Sequence, residues 1–335
     1  MSLNENSRGL SKRDLALNRA LLFLLFAGIA ILVSLADRAP MDLESVFPDL
    51  NISQKFVYYW QGVIYRFFPG PYLYRILIPY SYWGINQITH LNLITIDLFP
   101  KVILLIACQY SLLRYLGNFF EKTAALLGVF LFDSLLGYFL SFIKGPSIIE
   151  TIDILNFLIV TLGLIALYRN NYLYLSALLF IGLLNRETPL ILLPIAFIHE
   201  RIQYKKFHSS SRVLLISLIA FLSPRIFLTS WADATWFNTG ELHANLSFLF
   251  GEYSREAVMG NIRLAVLLGP FLLLGLYKFS EQPRFLRVAS IAIPLLIVVH
   301  YFTGRIVETR LWIPLFPLLM PLTVNNLLKM SGRSI

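Results

Sequence analysis

Charged residues and cysteine are both scarce in this sequence. Only 14% of its 335 residues are Asp, Glu, Lys or Arg, whereas soluble domains carry about 25% charged residues. No polar stretch is long enough to build a separate soluble core. The one cysteine, Cys108, lies inside an apolar run, which excludes a disulfide framework and a cysteine-based metal site.

The local motifs of several large enzyme classes are missing as well. The chain has no phosphate-binding glycine loop and no GxSxG, HExxH, CxxC or DxD motif. These absences argue against a P-loop nucleotide hydrolase, an α/β-hydrolase and a zinc protease. The five histidines are scattered along the chain, so the sequence predicts no histidine-based zinc site.

Apolar residues, in contrast, dominate the chain. They make up 57% of it, and the mean hydropathy is +0.68. Runs near the length of a membrane span recur throughout. We predict spans at residues 20–36, 95–115, 123–143, 153–168, 172–185, 188–199, 213–229, 262–278, 288–303 and 311–328. The expected fold is an all-α polytopic membrane protein, with about ten transmembrane helices in a single integral-membrane domain spanning residues 1–335.

Two segments need a separate interpretation. Residues 20–36 follow a polar N-terminus, and no small-residue cleavage site comes after them, so we interpret them as a retained first span and not as a removed signal peptide. Residues 72–90 are interrupted by Pro79 and by polar groups. We expect them to form an amphipathic segment at the membrane surface.

The distribution of charge predicts the orientation in the membrane. Lys and Arg exceed Asp and Glu on the side that carries the N-terminus, so the positive-inside rule places this side in the cytoplasm. Residues 1–19 then form a cytoplasmic tail, and residues 37–94 and 230–261 form long extracytoplasmic loops. The net charge of +9 is a topology signal, and we expect no nucleic-acid partner. The expected location is a bacterial plasma (inner) membrane, with the N-terminus in the cytoplasm.

Two opposite charges interrupt the apolar stretch GLLNRETPLILLP at residues 182–194. At about 1.5 Å per residue, the span 172–185 reaches only about 21 Å, short of a hydrocarbon core of about 30 Å. Arg186 and Glu187 should therefore lie below the outer membrane boundary. A bare charge at such depth costs at least about 2.5–3.5 kcal/mol. We expect Arg186 to face a substrate phosphate and Glu187 to hold it in place.

Similar charges occur twice more on the same predicted face. Arg305, Glu308 and Arg310 separate two apolar spans, and Arg75 stands among tyrosines in PYLYRILIPY. Each site alone is compatible with a charge that anchors a helix end at the interface. Together they favour a phosphate ligand, because guanidinium groups bind phosphate in a bidentate fork. The sequence thus predicts a lipid substrate with a phosphate head group.

Acidic residues cluster in the outer loops. Asp37 directly follows the first span and Asp42 follows five residues later, so both are candidate general bases for activating an acceptor hydroxyl. Glu150 and Asp153 form a second acidic group that could orient the acceptor or hold a divalent cation. The alternative for all four is an acid that flanks or caps a helix end.

The layout resembles the integral-membrane glycosyltransferases of the C superfamily (GT-C), such as the protein O-mannosyltransferases and aminoarabinose transferases. The resemblance rests on one span followed by a long acid-bearing outer loop and on three stretches, YRILIPY, NRETP and ETRLWIPLFPLLMP. The first loop lacks the adjacent acid pair of that family.

This resemblance implies a GT-C-like fold and an inverting transfer outside the cytoplasm, in the cell envelope. The donor would be a polyprenyl-phosphate-linked sugar, and the acceptor a glycan, lipid or protein. It assigns the general base to Asp37 or Asp42. The contact with the donor phosphate falls to an arginine, with Arg75, Arg186, Arg305 and Arg310 as candidates.

Two other functions are compatible with the same pattern. A lipid-linked polysaccharide polymerase or ligase would use outer-face arginines without a carboxylate base. A transporter or flippase of a lipid-linked sugar would have a use for Asp133, an acid in the middle of a predicted span. Internal repeats, which many transporters have, are not evident.

Overall fold

The computed structural model describes residues 12–36, 75–91, 93–142, 151–229, 245–246, 255–304 and 309–332. Within these ranges the chain is helical and contains no strand. The α-helices are α1 Lys12–Ala36, α2 Leu77–Thr89, α3 Leu93–Leu116, α4 Lys122–Phe142, α5 Thr151–Tyr168, α6 Tyr172–Asn185, α7 Leu192–Tyr204, α8 His208–Thr229, α9 Arg255–Leu276, α10 Arg284–Ala289, α11 Ala292–Thr303 and α12 Phe316–Met330. Short 3₁₀ helices cover Thr188–Ile191, Phe279–Glu281 and Thr309–Leu315.

Six helical segments in the described part of the chain are long enough and apolar enough to cross a membrane. They are Thr95–Leu116, Thr151–Tyr168, His208–Phe227, Ala257–Leu276, Arg284–Thr303 and Arg310–Met330. The all-α, multi-pass membrane character is therefore confirmed, but the predicted number of about ten spans is not. The predicted spans 172–185 and 188–199 correspond to helices of only 14 and 13 residues, which reach about 20 Å and cannot cross a core of about 30 Å alone.

Helices α5 and α12 form the centre of the bundle. The membrane-length windows in Thr151–Tyr168 and Arg310–Met330 are 78% and 89% buried, against 28% for Ala257–Leu276. Helix α5 packs against α3 and α6, α6 packs against α8, and α12 packs against α9 and α4. Polar groups at the beginning of α5 are thus enclosed by helices on several sides.

Local capping interactions separate the helices around α6 and α7. The turn after α5 contains Asn170, which adopts a left-handed conformation (φ 57°) that asparagine tolerates. The side chain of Asn171 then accepts a hydrogen bond from the amide of Tyr174 and caps α6. At the other end of α7, Glu200 accepts hydrogen bonds from the amides of Ser209 and Ser210 and caps α8. These caps fix the antiparallel course of α5, α6, α7 and α8.

Gly182 allows the turn after α6 to pack closely against α5. A β-carbon at this position would lie 3.0 Å from Cγ2 of Ile159 and 3.0 Å from Cγ of Pro189. The proline ring is rigid, so it cannot yield as a flexible side chain would. The absence of a side chain at Gly182 therefore permits the close approach of Ile159 in α5 and of Pro189, three residues after Arg186.

Replacing Gly182 with alanine is expected to destabilise the protein by about 1–3 kcal/mol, because an extra methyl group overpacks a tight contact. The matched control is Gly269→Ala in α9, where a β-carbon would meet no atom within 4 Å. This control should be neutral or slightly stabilising, since glycine costs a helix about 0.5–1 kcal/mol relative to alanine. Unfolding by SDS titration in mixed micelles measures both variants. Equal effects would contradict the close-contact explanation.

Candidate functional site

Arg186 lies at the end of α6 and forms a buried ion pair with Asp153 in the first turn of α5. Nη1 of Arg186 contacts Oδ1 of Asp153, and the two side chains are 8% and 1% exposed. A hydrogen bond of 2.9 Å from Nδ2 of Asn185 to the carbonyl of Ile152 joins the same two helix ends. Arg186 itself is extended, with φ −163° and ψ 160°, so its side chain points towards α5.

Glu187 pairs with a different arginine. Its Oε1 lies 2.6 Å from Nη2 of Arg225 in α8. The direct ion pair of Glu187 is thus with Arg225, while its charge also favours the charged form of Arg186; that Glu187 holds Arg186 in place stays a prediction. Because Arg186 is extended whereas Glu187 is in the helical region (φ −75°, ψ −22°), the two adjacent side chains diverge and reach different helices.

Arg225 is buried at 1% exposure. Its guanidinium carbon lies 3.6 Å from the centre of the Phe221 ring, and Nη1 donates a hydrogen bond of 3.0 Å to the carbonyl of Phe221. These contacts fold the side chain back along α8 and hold the guanidinium in one position beside Glu187.

Two further arginines come from distant parts of the chain. Nη1 of Arg310, in the 3₁₀ helix Thr309–Leu315, lies 4.0 Å from Oδ2 of Asp153. Arg75, two residues before α2, is buried at 7% exposure and lies within electrostatic range of both Arg186 and Glu187. The structure thus brings four arginines and two carboxylates together from five segments. We call Arg75, Asp153, Arg186, Glu187, Arg225 and Arg310 the arginine cluster.

The electrostatics of the turn between α6 and α7 follow from this arrangement. Burial lowers the pKa of Arg186; Asp153 acts in the opposite direction, and the charges of Arg75 and Arg310 lower it further. Burial alone would raise the pKa of Glu187, but the charges of Arg75 and Arg225 outweigh it and leave this pKa below its usual value. Glu187 is therefore ionised at neutral pH and cannot donate a proton there.

A second buried network positions α2, and with it Arg75. Oδ1 of Asp97 in α3 accepts hydrogen bonds from the Tyr82 hydroxyl at 3.1 Å and the Thr151 hydroxyl at 2.6 Å. Nζ of Lys101 lies 3.6 Å from Oδ2 of the same carboxylate. This network joins α2, α3 and the beginning of α5, which is two residues before Asp153.

Buried amide groups near Asp153 retain hydrogen-bonding capacity. Asn156 is three residues after Asp153, and side chains at this spacing share one helix face. Both amide atoms of Asn156 and Oδ1 of Asn185 are buried and have no hydrogen-bond partner among the described residues. Most buried polar groups in proteins are paired, so these atoms point to a polar ligand or to water.

An open apolar groove of about 680 Å³ runs between α2, α6 and α8. This volume falls in the range of about 300–1,000 Å³ that is typical of ligand sites. The groove is lined by Ile76, Leu77, Tyr80, Ser81, Leu184, Ser223, Pro224 and Phe227. Three of these residues lie within two positions of a cluster arginine in the chain. Ile76 follows Arg75, and Pro224 precedes Arg225. Leu184 comes two residues before Arg186. The groove and the arginine cluster therefore share three chain segments, and the groove itself is lined by the residues above and not by the cluster arginines.

The predicted site residues divide into two groups. Arg75, Arg186, Glu187, Asp153 and Arg310 come together in the cluster. The other predicted residues, Asp37, Asp42, Glu150, Arg305 and Glu308, lie outside the residues that the structure describes.

The sequence interpretation did not single out Arg225, Asp97 or Lys101. All three are charged residues within apolar runs, which is a signal of a functional or paired group.

The structure offers little support for a divalent cation at Asp153. Arginine groups approach both oxygens of this carboxylate, and positive charges so close oppose a bound cation. Among the residues that the structure describes, no group of three or more His, Cys, Asp or Glu side chains is arranged to hold a metal ion.

Comparisons of the chain with protein-family models, with curated proteins and with solved structures gave no match. The geometry of the cluster and the groove is therefore the basis for assigning a function.

Proposed function

We propose that this protein is a membrane glycosyltransferase that moves a sugar from a polyprenyl-phosphate donor to an acceptor. The observation that supports it is an arginine cluster that shares its chain segments with an apolar groove. In this proposal the cluster and groove open to the non-cytoplasmic side, and the N-terminus is cytoplasmic. The acceptor is a glycan, lipid or protein of the cell envelope.

The two parts of such a donor match the two parts of the site. An apolar chain suits a groove lined largely by Ile, Leu, Pro and Phe side chains, because it can pack there by van der Waals contact without burying polar groups. A phosphate suits guanidinium groups, which donate parallel hydrogen bonds in a fixed fork. The groove residues Ile76 and Pro224 adjoin Arg75 and Arg225 in the chain, so one molecule could reach both regions.

The arginines would contribute to the chemical step by stabilising the leaving group. The acceptor oxygen forms a bond to the anomeric carbon of the sugar, and the bond from this carbon to the phosphate oxygen breaks. The lipid phosphate leaves with one additional negative charge. Buried guanidinium groups held in place by Asp153 and Glu187 are preorganised for this charge, and such groups are worth more in a dry site than in water.

The acceptor hydroxyl must lose a proton in the same step. We assign this role to Asp37 or Asp42, as the resemblance to the GT-C enzymes implies. Asp153 and Glu187 are poor candidates, since each already forms an ion pair with an arginine and this pairing lowers the basicity of a carboxylate.

The second candidate function is a lipid-linked polysaccharide polymerase or ligase. The same ion pairs favour it, because both carboxylates in the described cluster are engaged with arginines. An enzyme of this kind could rely on arginines without a carboxylate base. The test is transfer of radiolabelled sugar from polyprenyl-phosphate donors in vesicles that contain the wild type or the Asp37→Asn, Asp42→Asn double variant.

Loss of transfer in the folded double variant would support a carboxylate-dependent glycosyltransferase. Unchanged transfer would favour the polymerase or ligase. If the wild type moves labelled lipid across the bilayer without transferring the sugar, both enzyme proposals fail and a flippase remains.

Filling the groove should impair the use of long-chain donors. Ser223 lines the groove, so we expect Ser223→Phe to block the chain from the groove. KM for a long polyprenyl donor should then rise about tenfold, which corresponds to about 1.4 kcal/mol of lost packing contacts, while KM for a short-chain donor should be unchanged. The control is Ser211→Phe, at an exposed position of the same helix. A parallel rise for both donors would show that the groove does not bind the chain.

A further inference from the structure

Asp133 is a buried acid of α4 that is not part of the arginine cluster. It lies in the middle of α4 and is 9% exposed. Its hydrogen-bond partner is Gln109 of α3, whose Nε2 lies 3.0 Å from Oδ1 and 3.1 Å from Oδ2. An apolar helix pair is thus joined by one carboxyl group and one carboxamide.

Asp133 forms no ion pair within the described part of the chain. Helices α1, α3 and α12 pack against α4, and α5 reaches it through the stacked rings of Phe157 and Phe132. The described charged or ionisable side chains on these helices include Arg19, Asp97, Lys101, Cys108, Arg114, Asp153 and Lys329. None of them forms an ion pair with Asp133 in the described part of the chain. Cys108 is within electrostatic range, but its thiol is neutral and donates to the carbonyl of Ile154.

The carboxamide of Gln109 indicates which form of Asp133 the site accommodates. Oε1 of Gln109 is buried and has no hydrogen-bond partner among the described residues. An ionised carboxylate cannot satisfy this oxygen, because it only accepts hydrogen bonds, whereas a protonated carboxyl group has one O–H donor. A small rotation of the terminal torsion of Gln109, which is soft, would form a cyclic pair. In it, the Asp133 hydroxyl donates to Oε1 and Nε2 donates to the other carboxyl oxygen.

We propose that Asp133 and Gln109 form a proton-binding site inside the helix bundle, in which Asp133 carries a proton at neutral pH. The neutral acid then needs no cation, and the acid–amide pair satisfies every polar atom that the two side chains place in the interface. Loss of the proton would leave a bare charge between α3 and α4 and weaken their packing. This inference does not depend on the glycosyltransferase proposal, because it concerns only these two helices.

The stability of the folded protein should depend on pH accordingly. With Asp133 protonated, the folded state binds one more proton than an unfolded state whose carboxylate meets water. Stability therefore falls as pH rises, since it decreases wherever the folded state holds more protons. The Asp133→Asn variant should lose this component of the pH dependence. It should still fold, because two carboxamides can form the same pair of hydrogen bonds.

Infrared difference spectroscopy of the purified full-length protein tests the site directly. The wild type at neutral pH should show the carbonyl band of a protonated carboxylic acid, and this band should be absent from Asp133→Asn. The control is Glu281→Gln, which removes an acid whose side chain is 48% exposed and should leave the band in place. If the wild type has no such band, or if the band has the same intensity in Asp133→Asn, Asp133 is ionised and the proposal is overturned.

A second variant covers the case in which Asp133→Asn does not fold. Gln109→Met keeps the acid and removes its hydrogen-bond partner, so the acid band should move to the frequency of a carboxylic acid with a free carbonyl. An unshifted band would mean that Gln109 does not pair with the protonated acid, and it would overturn the assignment of the site.

Discussion

Replacing Arg186 with methionine and Asp153 with leucine in one double variant is expected to abolish sugar transfer while the protein remains folded. A buried ion pair can often be replaced by apolar residues of similar volume at no cost in stability, or with a gain of about 1–4 kcal/mol. The pair is enclosed by α5, α6 and the 3₁₀ helix that carries Arg310, so an apolar pair can fill the same space. Activity should nevertheless fall at least about 100-fold, because each hydrogen bond to a charged group contributes about 1.5–3 kcal/mol.

This double variant separates a functional role from a structural one. A matched control removes the exposed ion pair between Lys329 and Glu281, whose Nζ and Oε2 are 3.1 Å apart, through Lys329→Met and Glu281→Gln. The control should retain activity. If the Arg186 and Asp153 variant folds and transfers sugar as well as the control, the pair only anchors the end of α6.

The single variant Arg186→Lys refines this result. Lysine keeps the positive charge but lacks the planar fork that binds phosphate in a bidentate manner. Activity should fall even though the charge balance of the cluster is unchanged. Arg201→Lys, at an exposed position of α7, is the corresponding control, and equal activities of the two variants would argue against phosphate binding by Arg186.

Replacement by asparagine should change the stability of the protein strongly at Asp153 and only slightly at Asp133. Asp153→Asn leaves Arg186 buried without a carboxylate, and breaking a buried pair costs about 3–5 kcal/mol. Asp133→Asn replaces an acid that faces only a carboxamide among the described residues, so we expect a change within about 1 kcal/mol, as for one exchanged hydrogen bond. The free energy of unfolding in mixed micelles, measured by SDS titration at neutral pH, compares the two directly.

Either aspartate can contradict this pair of expectations. A small effect of Asp153→Asn would mean that Arg186 finds a different anion or water in its place. A large effect of Asp133→Asn would mean that Asp133 is ionised and contributes as a charge. The comparison is internal, since both variants make the same aspartate-to-asparagine exchange at a buried position of the same bundle.

The position of the arginine cluster was largely predictable from the sequence. The shortness of the run 172–185 placed Arg186 and Glu187 at the tip of two short helices, and α6 does end at Asn185. Charges within long apolar stretches are costly, and this principle alone selected Arg75 and Arg310 as well. These predictions depend on local sequence and on the length of a helix.

The partners of these residues could not be predicted in the same way. Adjacency in the chain suggested that Glu187 pairs with Arg186, but Asp153 and Arg225 are the actual partners. Their sequence separations are 33 and 38 residues, so the pairing depends on how α5, α6 and α8 pack. Ion pairs between helices follow from tertiary packing, which the apolar periodicity of a single chain does not encode.

The groove also could not be predicted from the sequence. Its walls come from α2, α6 and α8, and none of these segments is unusual on its own. The prediction that residues 72–90 form an amphipathic segment anticipated a helix here, and α2 spans Leu77–Thr89. It did not anticipate that Asp97 would hold this helix through Tyr82. Asp97 and Lys101 pair within one turn of α3. Opposite charges at this spacing inside an apolar run therefore indicate a buried polar network, just as an isolated arginine indicates a paired or functional group.

Binding of polyprenyl phosphate to the purified protein is the most direct measurement, because it does not require knowledge of the sugar or the acceptor. Native mass spectrometry of the detergent-solubilised full chain would compare polyprenyl phosphate with the unphosphorylated polyprenol of equal length. We predict that the wild type retains one polyprenyl phosphate, binds polyprenol at least about tenfold more weakly, and loses this preference in the Arg186→Met, Asp153→Leu variant. Equal retention of both lipids by the wild type, or an undiminished preference for the phosphate in the variant, would show that the arginine cluster does not bind a lipid phosphate.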